Sequence, residues 1–389
     1  MNNNWQTKKL GEIFLIERGG SPRPIESFLT GGVNGINWIK IGDTKNVTKY
    51  IYTTKQKIKP EGLKKSRLVQ EDDFILSNSM SFGRPYIMKT SGAIHDGWLV
   101  LRKKMPNIDN NFFYYLLSSP LIFTQFDKLA AGSTVRNLNT KLVSNVSVSL
   151  PSLPEQHRIV KILDEAFENI EKAKTNAEKN LANARELFES YLQNVFSNPR
   201  KERGKNKLER VCDFYNGKAH EKCIDKDGKY IVINSKFISS NGREYKKTNK
   251  ALYPLFCGDI VMVMSDVPNG KALAKCFIVD KENIYTLNQR ICVLRAKRDE
   301  IKFLYYQINR NPYLLSFDNG ENQTNLRKND ILNCPLLIPT ISEQRTIVKR
   351  LDTLAEETKK LEAIYKQKLA DLEELKKSVL KKAFAGELK

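Results

Sequence analysis

The sequence predicts an α+β protein made of two similar globular domains, each followed by a long helix. Three observations support this prediction. A fifteen-residue segment occurs twice, the residues after each copy place apolar side chains at coiled-coil spacing, and the region before each copy contains short apolar runs separated by turn residues. The 389-residue chain is long enough for two such domains with cores of their own.

The repeated segment reads LPSLPEQHRIVKILD at residues 150–164 and IPTISEQRTIVKRLD at residues 338–352. The two copies share eight of fifteen residues at an offset of 188, which indicates an internal duplication. Immediately upstream, residues 131–151 resemble residues 319–339 at the same offset. Earlier segments match at offsets between 186 and 193, so the loops of the two copies are expected to differ in length.

Each copy of the repeat opens a predicted helix of about 43 residues, or roughly 65 Å. Apolar or small residues follow one another in steps of four and three, as in a coiled-coil seam. Both copies take two consecutive steps of four at the same place, 173–177–181 and 361–365–369. A shared irregularity of this kind supports common descent of the two helices.

The regions before the helices contain short runs rich in Val, Ile, Phe and Tyr, such as residues 74–76, 98–101, 230–233 and 260–264. Gly, Asn and Pro separate these runs, which is typical of strands and turns. A short helix is predicted around residues 110–118 in the first copy and 300–309 in the second. Each domain is therefore expected to pack helix against a modest sheet.

Chain order predicts how the long helices pair. An antiparallel pair brings the end of the first helix close to the start of the second domain, whereas a parallel pair would need a long crossing connection. The stretch 198–207 is too short for one. An antiparallel coiled coil with a domain at each end and a pseudo-two-fold axis is expected. The predicted domains are 1–150, 151–198, 199–338 and 339–389.

The net charge of +21 is concentrated in the two globular regions. Residues 1–154 and 199–342 each carry +10, whereas residues 155–198 carry −2 and residues 343–389 carry +3. A polyanion that contacts both domains is the simplest partner, and a two-fold arrangement of basic domains suits duplex DNA. The alternative is a lysine surplus that serves only solubility.

The sequence also bears on compartment. The N-terminus lacks the apolar core of a signal peptide, and no run approaches the roughly 18 apolar residues of a membrane helix. The six cysteines form no CxxC pair, so we expect reduced, buried thiols in a cytoplasmic protein.

Motifs of catalysis are missing from the sequence. It contains no Asn-Pro-Pro-aromatic motif, no GxxxxGK[ST] phosphate loop and no FxGxG-type cofactor loop. The three histidines are scattered, and His220 with Cys223 would need two more ligands to form a zinc site. We therefore predict no catalytic residue, no metal and no cofactor.

Polar loops after strands provide candidates for DNA contact, because Arg suits guanine and Asn or Gln suits adenine. They lie in the segments 77–86, 132–137, 264–272 and 322–328. For any one of them, an ordinary surface loop remains the alternative. The candidate DNA-contacting residues are Ser81, Arg84, Tyr86, Thr134, Arg136, Asn137, Lys271, Asn322, Gln323, Thr324, Arg327 and Lys328.

The order domain, PxLxEQxxIV-type helix, domain, second such helix resembles the specificity subunit of type I restriction-modification enzymes over essentially the whole chain. The second copy departs from the pattern with Ser342 in the place of Pro154. The residues that carry the resemblance are Leu153 to Gln156 with Ile159-Val160, Ile341 to Gln344 with Ile347-Val348, Gly132 to Thr134 with Asn137-Leu138, Gly320 with Asn325-Leu326, and Phe196 and Phe384.

This resemblance implies that each domain is a target-recognition domain reading one half of a split, asymmetric DNA site. The helices would set the spacing and bind two methyltransferase subunits, which carry S-adenosylmethionine, and motor-nuclease subunits would join for restriction. The chain itself would do no chemistry. The residues expected at the subunit interface are Glu155, Gln156, Ile159, Glu343, Gln344 and Ile347.

A second hypothesis remains open from the residues alone. A coiled-coil scaffold whose basic domains bind nucleic acid without sequence preference would have the same charge and the same helices.

Overall fold

The computed structural model describes residues 5–78, 81–130, 137–197 and 205–388. The chain forms two compact units. Unit 1 comprises residues 1–179 and 365–389, and unit 2 comprises residues 180–364. Each unit therefore contains one globular head and one segment from each of two long helices. Four further stretches of the chain, residues 1–4, 79–80, 131–136 and 198–204, and Lys389 lie outside the description.

The first head, residues 5–150, is built on two five-stranded sheets. The large sheet has the strand order β2-β11-β8-β9-β5, the small sheet has the order β3-β6-β4-β10-β7, and β1 pairs with β12. The strands β1 to β12 are Gln6–Lys9, Phe14–Arg18, Leu29–Thr30, Ile36–Ile39, Tyr50–Ile51, Gln56–Ile58, Arg67–Val69, Phe74–Ser77, Pro85–Met88, Gly92–Ile94, Trp98–Lys103 and Ser147–Leu150.

Helices cover one face of the large sheet. The helices α1 to α4 are Leu10–Ile13, Asn110–Leu117, Pro120–Ala130 and Thr140–Ser144. α2 begins after Asp109, whose carboxylate accepts a hydrogen bond from Phe112 N at 2.8 Å, as expected of an N-cap. The apolar side of α2 is fully buried with Phe14 and Phe74, so the predicted helix around 110–118 is confirmed as core.

The second head, residues 205–340, repeats this plan with fewer strands. Its large sheet has the order β14-β21-β17-β19, its small sheet has the order β16-β15-β20, and the pairs β13-β23 and β18-β22 complete it. The strands β13 to β23 are Lys205–Lys207, Cys212–Asn216, Tyr230–Ile233, Lys246–Thr248, Ile260–Val263, Ser265–Asp266, Cys276–Ile278, Tyr285–Leu287, Ile291–Ala296, Thr324–Asn325 and Pro335–Leu337.

The same connections recur in both heads. In each small sheet the central strand pairs antiparallel with one neighbour and parallel with the other, β4 with β6 and β10, and β15 with β16 and β20. In each large sheet the order of the first four strands is the same. The predicted duplication and the α+β fold class are therefore confirmed.

Two long helices run through both units. α5 is Leu153–Ser197 and α11 is Ile341–Phe384, close to the lengths expected from the apolar spacing. The short helices of the second head, α6 to α10, are Leu208–Val211, Ser235–Ser239, Ile301–Ile308, Pro312–Leu315 and Lys328–Leu332.

Within each unit the helix segments run antiparallel. In unit 1, Arg158 of α5 donates to the Leu388 carbonyl at 3.1 Å, and Lys174 pairs with Glu373 at 3.3 Å. In unit 2, Arg185 pairs with Glu362 at 3.0 Å. The residue numbers of the contacts rise along α5 and fall along α11, as expected for the predicted antiparallel direction.

The C-terminal end of each long helix packs on a head. Phe384 of α11 meets Phe112 of the first head with ring centroids 5.4 Å apart. Phe196 of α5 meets Phe303 of the second head at 5.5 Å. The phenylalanine near the end of each long helix therefore packs against a phenylalanine of the head in both units.

The predicted seam is buried for only part of its length. Leu163, Leu351 and Ala383 are almost fully buried, as a seam requires. Leu361 and Leu375, by contrast, are 39% and 48% exposed. Two helices cover only part of each other's circumference, so apolar positions beside the seam stay open to solvent.

Candidate nucleic-acid interface

In the first head, the described part of the loop after β8, residues 78 and 81–84, is held against the segment that precedes α4. Leu138 N donates to the Asn78 carbonyl at 2.8 Å. Gly83 has φ +72°, and a Cβ there would lie 2.9 Å from Phe126 Cδ2. The loop therefore needs glycine at this position both for its backbone and for its close approach to α3.

Two of the predicted residues lie on the outside of this loop. Ser81 and Arg84 are exposed. The Arg84 guanidinium donates to the Val47 carbonyl at 3.2 Å and lies 5.4 Å from the centre of the Tyr86 ring. These contacts hold an arginine at the surface without an acidic partner, so it keeps donors that could reach a base edge or a phosphate.

Tyr86 corrects the sequence interpretation. It lies in β9 rather than in a loop, is 1% exposed, and packs edge-on against Trp98 at 5.7 Å. Its ring is part of the core between the sheets. A base cannot reach it in this arrangement, and we leave it out of the candidate surface.

The segment of residues 131–136 lies outside the described residues, and with it the candidates Thr134 and Arg136. Asn137 is described and half-buried. The side-chain oxygens of Asn137 and Asn78 are buried and have no hydrogen-bond partner among the described residues. Asn78 was not singled out from the sequence.

The second head has an equivalent pair of loops. Leu326 N donates to the Met264 carbonyl at 2.8 Å, in the same way as Leu138 and Asn78 do in the first head. The loops are further joined by the β18–β22 ladder and by Gln323, whose amide donates to Ser265 Oγ at 2.9 Å. The loops 264–273 and 318–328 therefore form one surface.

The Asp266 carboxylate holds the backbone of the loop 264–273 in place. Asp266 Oδ2 accepts hydrogen bonds from Ala272 N at 2.7 Å and Leu273 N at 3.1 Å. A Cβ on Gly270 would lie 2.1 Å from that oxygen. The loop can close around Asp266 only with glycine there, and this closure places Lys271 on the outside.

The loop pair brings the second-head candidates together. Lys271, Asn322, Gln323, Arg327 and Lys328 are all exposed. Side chains of these types donate to guanine O6 and N7, to adenine and to phosphates.

Thr324, a candidate for DNA contact, is buried in the structure. It is 8% exposed, and its hydroxyl donates to Asp318 Oδ1 at 3.1 Å. Its pairing in the β18–β22 ladder turns it inward, so it supports the loop rather than contacting a ligand.

The two glutamines predicted at the subunit interface are also buried in the structure. Gln156 is 1% exposed; its Oε1 accepts from Asp109 N at 2.9 Å, and its Nε2 donates to the Pro151 carbonyl at 3.0 Å. Gln344, also 1% exposed, bonds in the same way to Glu300 N and to the Pro339 carbonyl. Both amides are used within the chain, and both side chains are buried in this structure.

The other residues predicted at the subunit interface differ in how far they are buried. Ile159 is 1% exposed and belongs to the core of unit 1, which is a further correction, and Ile347 packs half-buried against the core of unit 2. Glu343 is exposed and caps α11 by accepting from Thr340 N at 3.0 Å. Glu155 is held by Arg158 at 2.7 Å, and this hydrogen bond lowers the pKa of its carboxyl group.

A repeated tyrosine contact joins each head to a long helix. Tyr115 donates its hydroxyl to the Asp164 carboxylate, and Tyr306 donates to Asp352 Oδ1 at 2.7 Å. Burial, and then the hydrogen bond to the carboxylate, raise the pKa of both phenols far above the usual value. Each head is therefore fixed to its helix segment by a polar bond as well as by apolar packing.

The described residues contain no group of three or more His, Cys, Asp and Glu side chains that could hold a metal ion. All six cysteines are free thiols, four of them buried, and burial raises the pKa of Cys212 and Cys334 to about 12. In the described part of the chain, no helix is both long and apolar enough to span a membrane.

A duplicated α+β head that presents a polar loop pair, fixed to paired long helices, defines a class of two-headed recognition subunits. The family model described as "Type I restriction modification DNA specificity domain" matches residues 2–179 and 201–373. The chain therefore belongs to the family of type I restriction-modification specificity subunits, which recognise DNA and are not themselves catalytic.

Named relatives agree with this. The chain is 21% identical to the type I restriction enzyme MjaVIII specificity subunit of Methanocaldococcus jannaschii, over 99% of this chain and 93% of that one. It is 24% identical to the StySPI specificity subunit of Salmonella potsdam, over 72% of this chain and 66% of that one.

Solved structures share the fold. A chain from a structure of type I restriction-modification complex assembly and conformational transition has a TM-score of 0.82 at 18% identity, covering 100% of this chain and 99% of that one. The HsdS subunit of Thermoanaerobacter tengcongensis has a TM-score of 0.62 at 19% identity, covering 100% and 98%.

Proposed function

We propose that the two heads read the two halves of a bipartite, asymmetric site in duplex DNA, one half per head. One observation carries this proposal. The loop pairs share a backbone contact, Leu138 to Asn78 and Leu326 to Met264, but present different side chains. A common frame with different donors and acceptors suits two half-sites that differ in sequence.

The types of side chain suggest which residues contact bases and which contact phosphates. Arg84 in the first head and Lys271 in the second suit guanine O6 and N7, and Gln323 and Asn322 suit adenine N6 and N7. Arg327 and Lys328 suit phosphates beside the half-site, which position the head without reading sequence. Thr134, Arg136 and Asn137 remain proposed contacts of the first head.

We further propose that the long helices set the distance between the half-sites. α5 has 45 residues, which is roughly 67 Å of helix at 1.5 Å per residue. Each head is fixed to its helix segment by the glutamine bonds, the Tyr–Asp contact and a terminal Phe, so it cannot easily swing relative to that segment. A rigid head on a rigid helix is what a fixed spacing requires.

The proposed protein partners are two methyltransferase subunits, which would carry S-adenosylmethionine, with motor-nuclease subunits added for restriction. Unit 2 offers an apolar surface for such a partner. Leu187, Leu361 and Ile364 on the long helices are 57%, 39% and 59% exposed. Leu187 also lines a groove of about 550 Å³, together with Tyr191 and Leu354. Membership of the specificity family favours this assembly over a scaffold without sequence preference.

Selection from a randomised duplex library tests the proposal. The chain would be coexpressed with its cognate methyltransferase subunit, and bound duplexes sequenced after selection at about 150 mM salt. We expect two short fixed blocks separated by a constant number of free base pairs. Salt-sensitive binding without an enriched sequence would instead support the scaffold.

A further inference from the structure

The positive charge of the first head is concentrated around its small sheet. Residues 19–66, which supply β3 to β6, contain nine Lys or Arg and three Asp or Glu, a net charge of +6. Residues 1–154 as a whole carry +10, so less than a third of the region holds more than half of its excess. The loops proposed to read bases lie outside this segment.

Two adjoining cavities follow the edge of this sheet. One, of about 670 Å³, is lined by residues that include Ser21, Arg23, Trp38 and Lys40. The other, of about 530 Å³, is lined by residues 29–31 and 54–57. Leu29 and Gln56 line both cavities, so the two cavities lie side by side, and we call them together the basic groove.

Four cationic side chains border the basic groove, namely Arg23, Lys40, Lys55 and Lys57, with Glu26 as the acidic residue of its lining. Among the described residues, no carboxylate lies within salt-bridge distance of Lys40, Lys55 or Lys57. The nearby Asp43 carboxylate is used by backbone N–H groups, at 2.8 Å from Lys40 N and 3.4 Å from Lys55 N.

Other cations of the chain are paired. On the long helices, Lys172, Lys174 and Arg185 each lie within 3.3 Å of a glutamate carboxylate. Cations that a fold leaves unmatched along one groove suit an external polyanion, because phosphates supply the missing charge and release counterions on contact.

The basic groove begins beside the loop that is proposed to read bases. Asn78, the first residue of that loop, donates through its side-chain amide to the Asp96 carbonyl at 2.8 Å. The Asp96 carboxylate in turn lies 3.7 Å from Arg23 and accepts from Ser21 Oγ at 2.9 Å, and both residues line the groove. A strand of DNA that leaves the loop at this end would enter the groove directly.

We infer that the basic groove seats the sugar-phosphate backbone of DNA that flanks the first half-site, outside the recognised bases. This inference rests on the proposed function, since it extends the same DNA path beyond the reading loop. Lys55 and Lys57 contact phosphates at the far cavity, and Arg23 and Lys40 at the near one. The contacts add affinity without adding sequence preference.

The salt dependence of binding tests this inference. The full chain, coexpressed with its methyltransferase subunit, would carry Lys55→Gln and Lys57→Gln and be titrated with a mixed-sequence duplex of 40 base pairs. Loss of two phosphate contacts should lower the slope of log K against log salt by up to about 1.8. Between 50 and 200 mM salt, the variant should then lose roughly tenfold less affinity than the unmodified chain.

A matched control removes the same charge elsewhere in the head. Lys103 and Lys104 are exposed at the end of β11 and donate to backbone carbonyls of Ile108 and Gly11. The Lys103→Gln, Lys104→Gln variant should keep the original slope. Arg23→Gln provides a second test outside any strand, and it should lower the slope by about 0.9.

Duplex length separates flanking contacts from contacts within the site. A duplex selected from the library would be shortened to end two base pairs beyond the first-head block, or extended by ten. The unmodified chain should prefer the longer duplex by about tenfold, and the Lys55, Lys57 variant, which keeps Arg23 and Lys40, should show a smaller preference. An unchanged slope, or a length preference as large in the variant as in the unmodified chain, would overturn the groove. A library that enriches no sequence would overturn the proposed function instead, and the mixed-sequence titration still decides the groove.

Discussion

Gln156 and Gln344, 188 positions apart in the sequence, have two hydrogen bonds in common. Each Oε1 accepts the backbone N–H of the residue that precedes a short helix, and each Nε2 donates to the carbonyl of the proline five residues earlier. Each glutamine thus fastens the first turn of a long helix to its own head. The repeated Glu-Gln motif is therefore structural at its glutamine.

Replacing one of these glutamines should destabilise the unit that contains it. Gln156→Ala leaves Asp109 N and the Pro151 carbonyl without partners in a buried place, so we expect a loss of about 2 kcal/mol in unfolding free energy. Urea unfolding measures it. Lys172→Ala is the control, because its ion pair with Glu168 is exposed and its loss should change stability by less than about 0.5 kcal/mol. Equal effects of the two variants would show that the glutamine is not a clamp.

The Tyr–Asp contacts give the fold a defined sensitivity to alkaline pH. Burial and the carboxylate raise the pKa of Tyr115 and Tyr306 in the folded state above their unfolded value of about 10. The folded state holds these protons more tightly, so their contribution is complete below pH 10 and is lost as the pH rises above it.

The Tm of the unmodified chain should therefore fall more steeply between pH 9 and pH 11 than that of the Tyr115→Phe, Tyr306→Phe variant. At pH 7 the variant should be the less stable of the two. Tyr52→Phe is the control, because Tyr52 is 63% exposed. Parallel Tm curves for the unmodified chain and the double variant would contradict the assignment.

The loop around Asp266 depends on the absence of a side chain at Gly270. Gly270→Ala would place a Cβ 2.1 Å from Asp266 Oδ2 and force the carboxylate away from Ala272 N. Affinity for the selected duplex should drop about tenfold, a loss of about 1.4 kcal/mol, with the loss confined to the second-head block. A binding titration measures it. Gly42→Ala is the control, since nothing lies within 4 Å of a Cβ there, and an equal loss from both would refute the role of the loop.

The proposed spacing can be tested by shortening both helices together. Residues 172–178 and 369–375 surround the Lys174–Glu373 pair, so removing both heptads keeps the remaining helix faces in register. One heptad is about 10.5 Å, and the gap between the fixed blocks should shrink by roughly three base pairs. Library selection with the shortened chain measures the gap. Blocks that keep their original separation would rule out a spacing role for the helices.

The sequence predicted those features that depend on local pattern or on the duplication. The repeat at 150–164 and 338–352 predicted the two helices and the equivalence of the heads, because it compares the chain with itself. The antiparallel direction followed from chain order and from the short connection 198–207. The short helix at 110–118 followed from apolar spacing. The division into domains at residues 150, 198 and 338 stays a prediction.

The errors came from contacts between residues distant in the chain. Tyr86 follows a turn-rich stretch, but β9 pairs on both sides and buries it. Thr324 is turned inward by a ladder with a strand nearly 60 residues earlier. Gln156 looked like an exposed residue at a helix start, yet its partner Asp109 lies 47 residues away. Local patterns do not encode such partners.

The independence of the two heads is the central claim, and parallel selections test it most directly. The unmodified chain, Arg84→Ala and the Lys271→Ala, Gln323→Ala variant would each select from the same randomised duplex library with the methyltransferase subunit present. Loss of a base contact should weaken discrimination by about 1–3 kcal/mol at the base concerned. We expect Arg84→Ala to relax one block only and the second-head variant to relax the other block only. If either variant relaxed both blocks, or if neither changed the selected sequence, the account of one half-site per head would be contradicted.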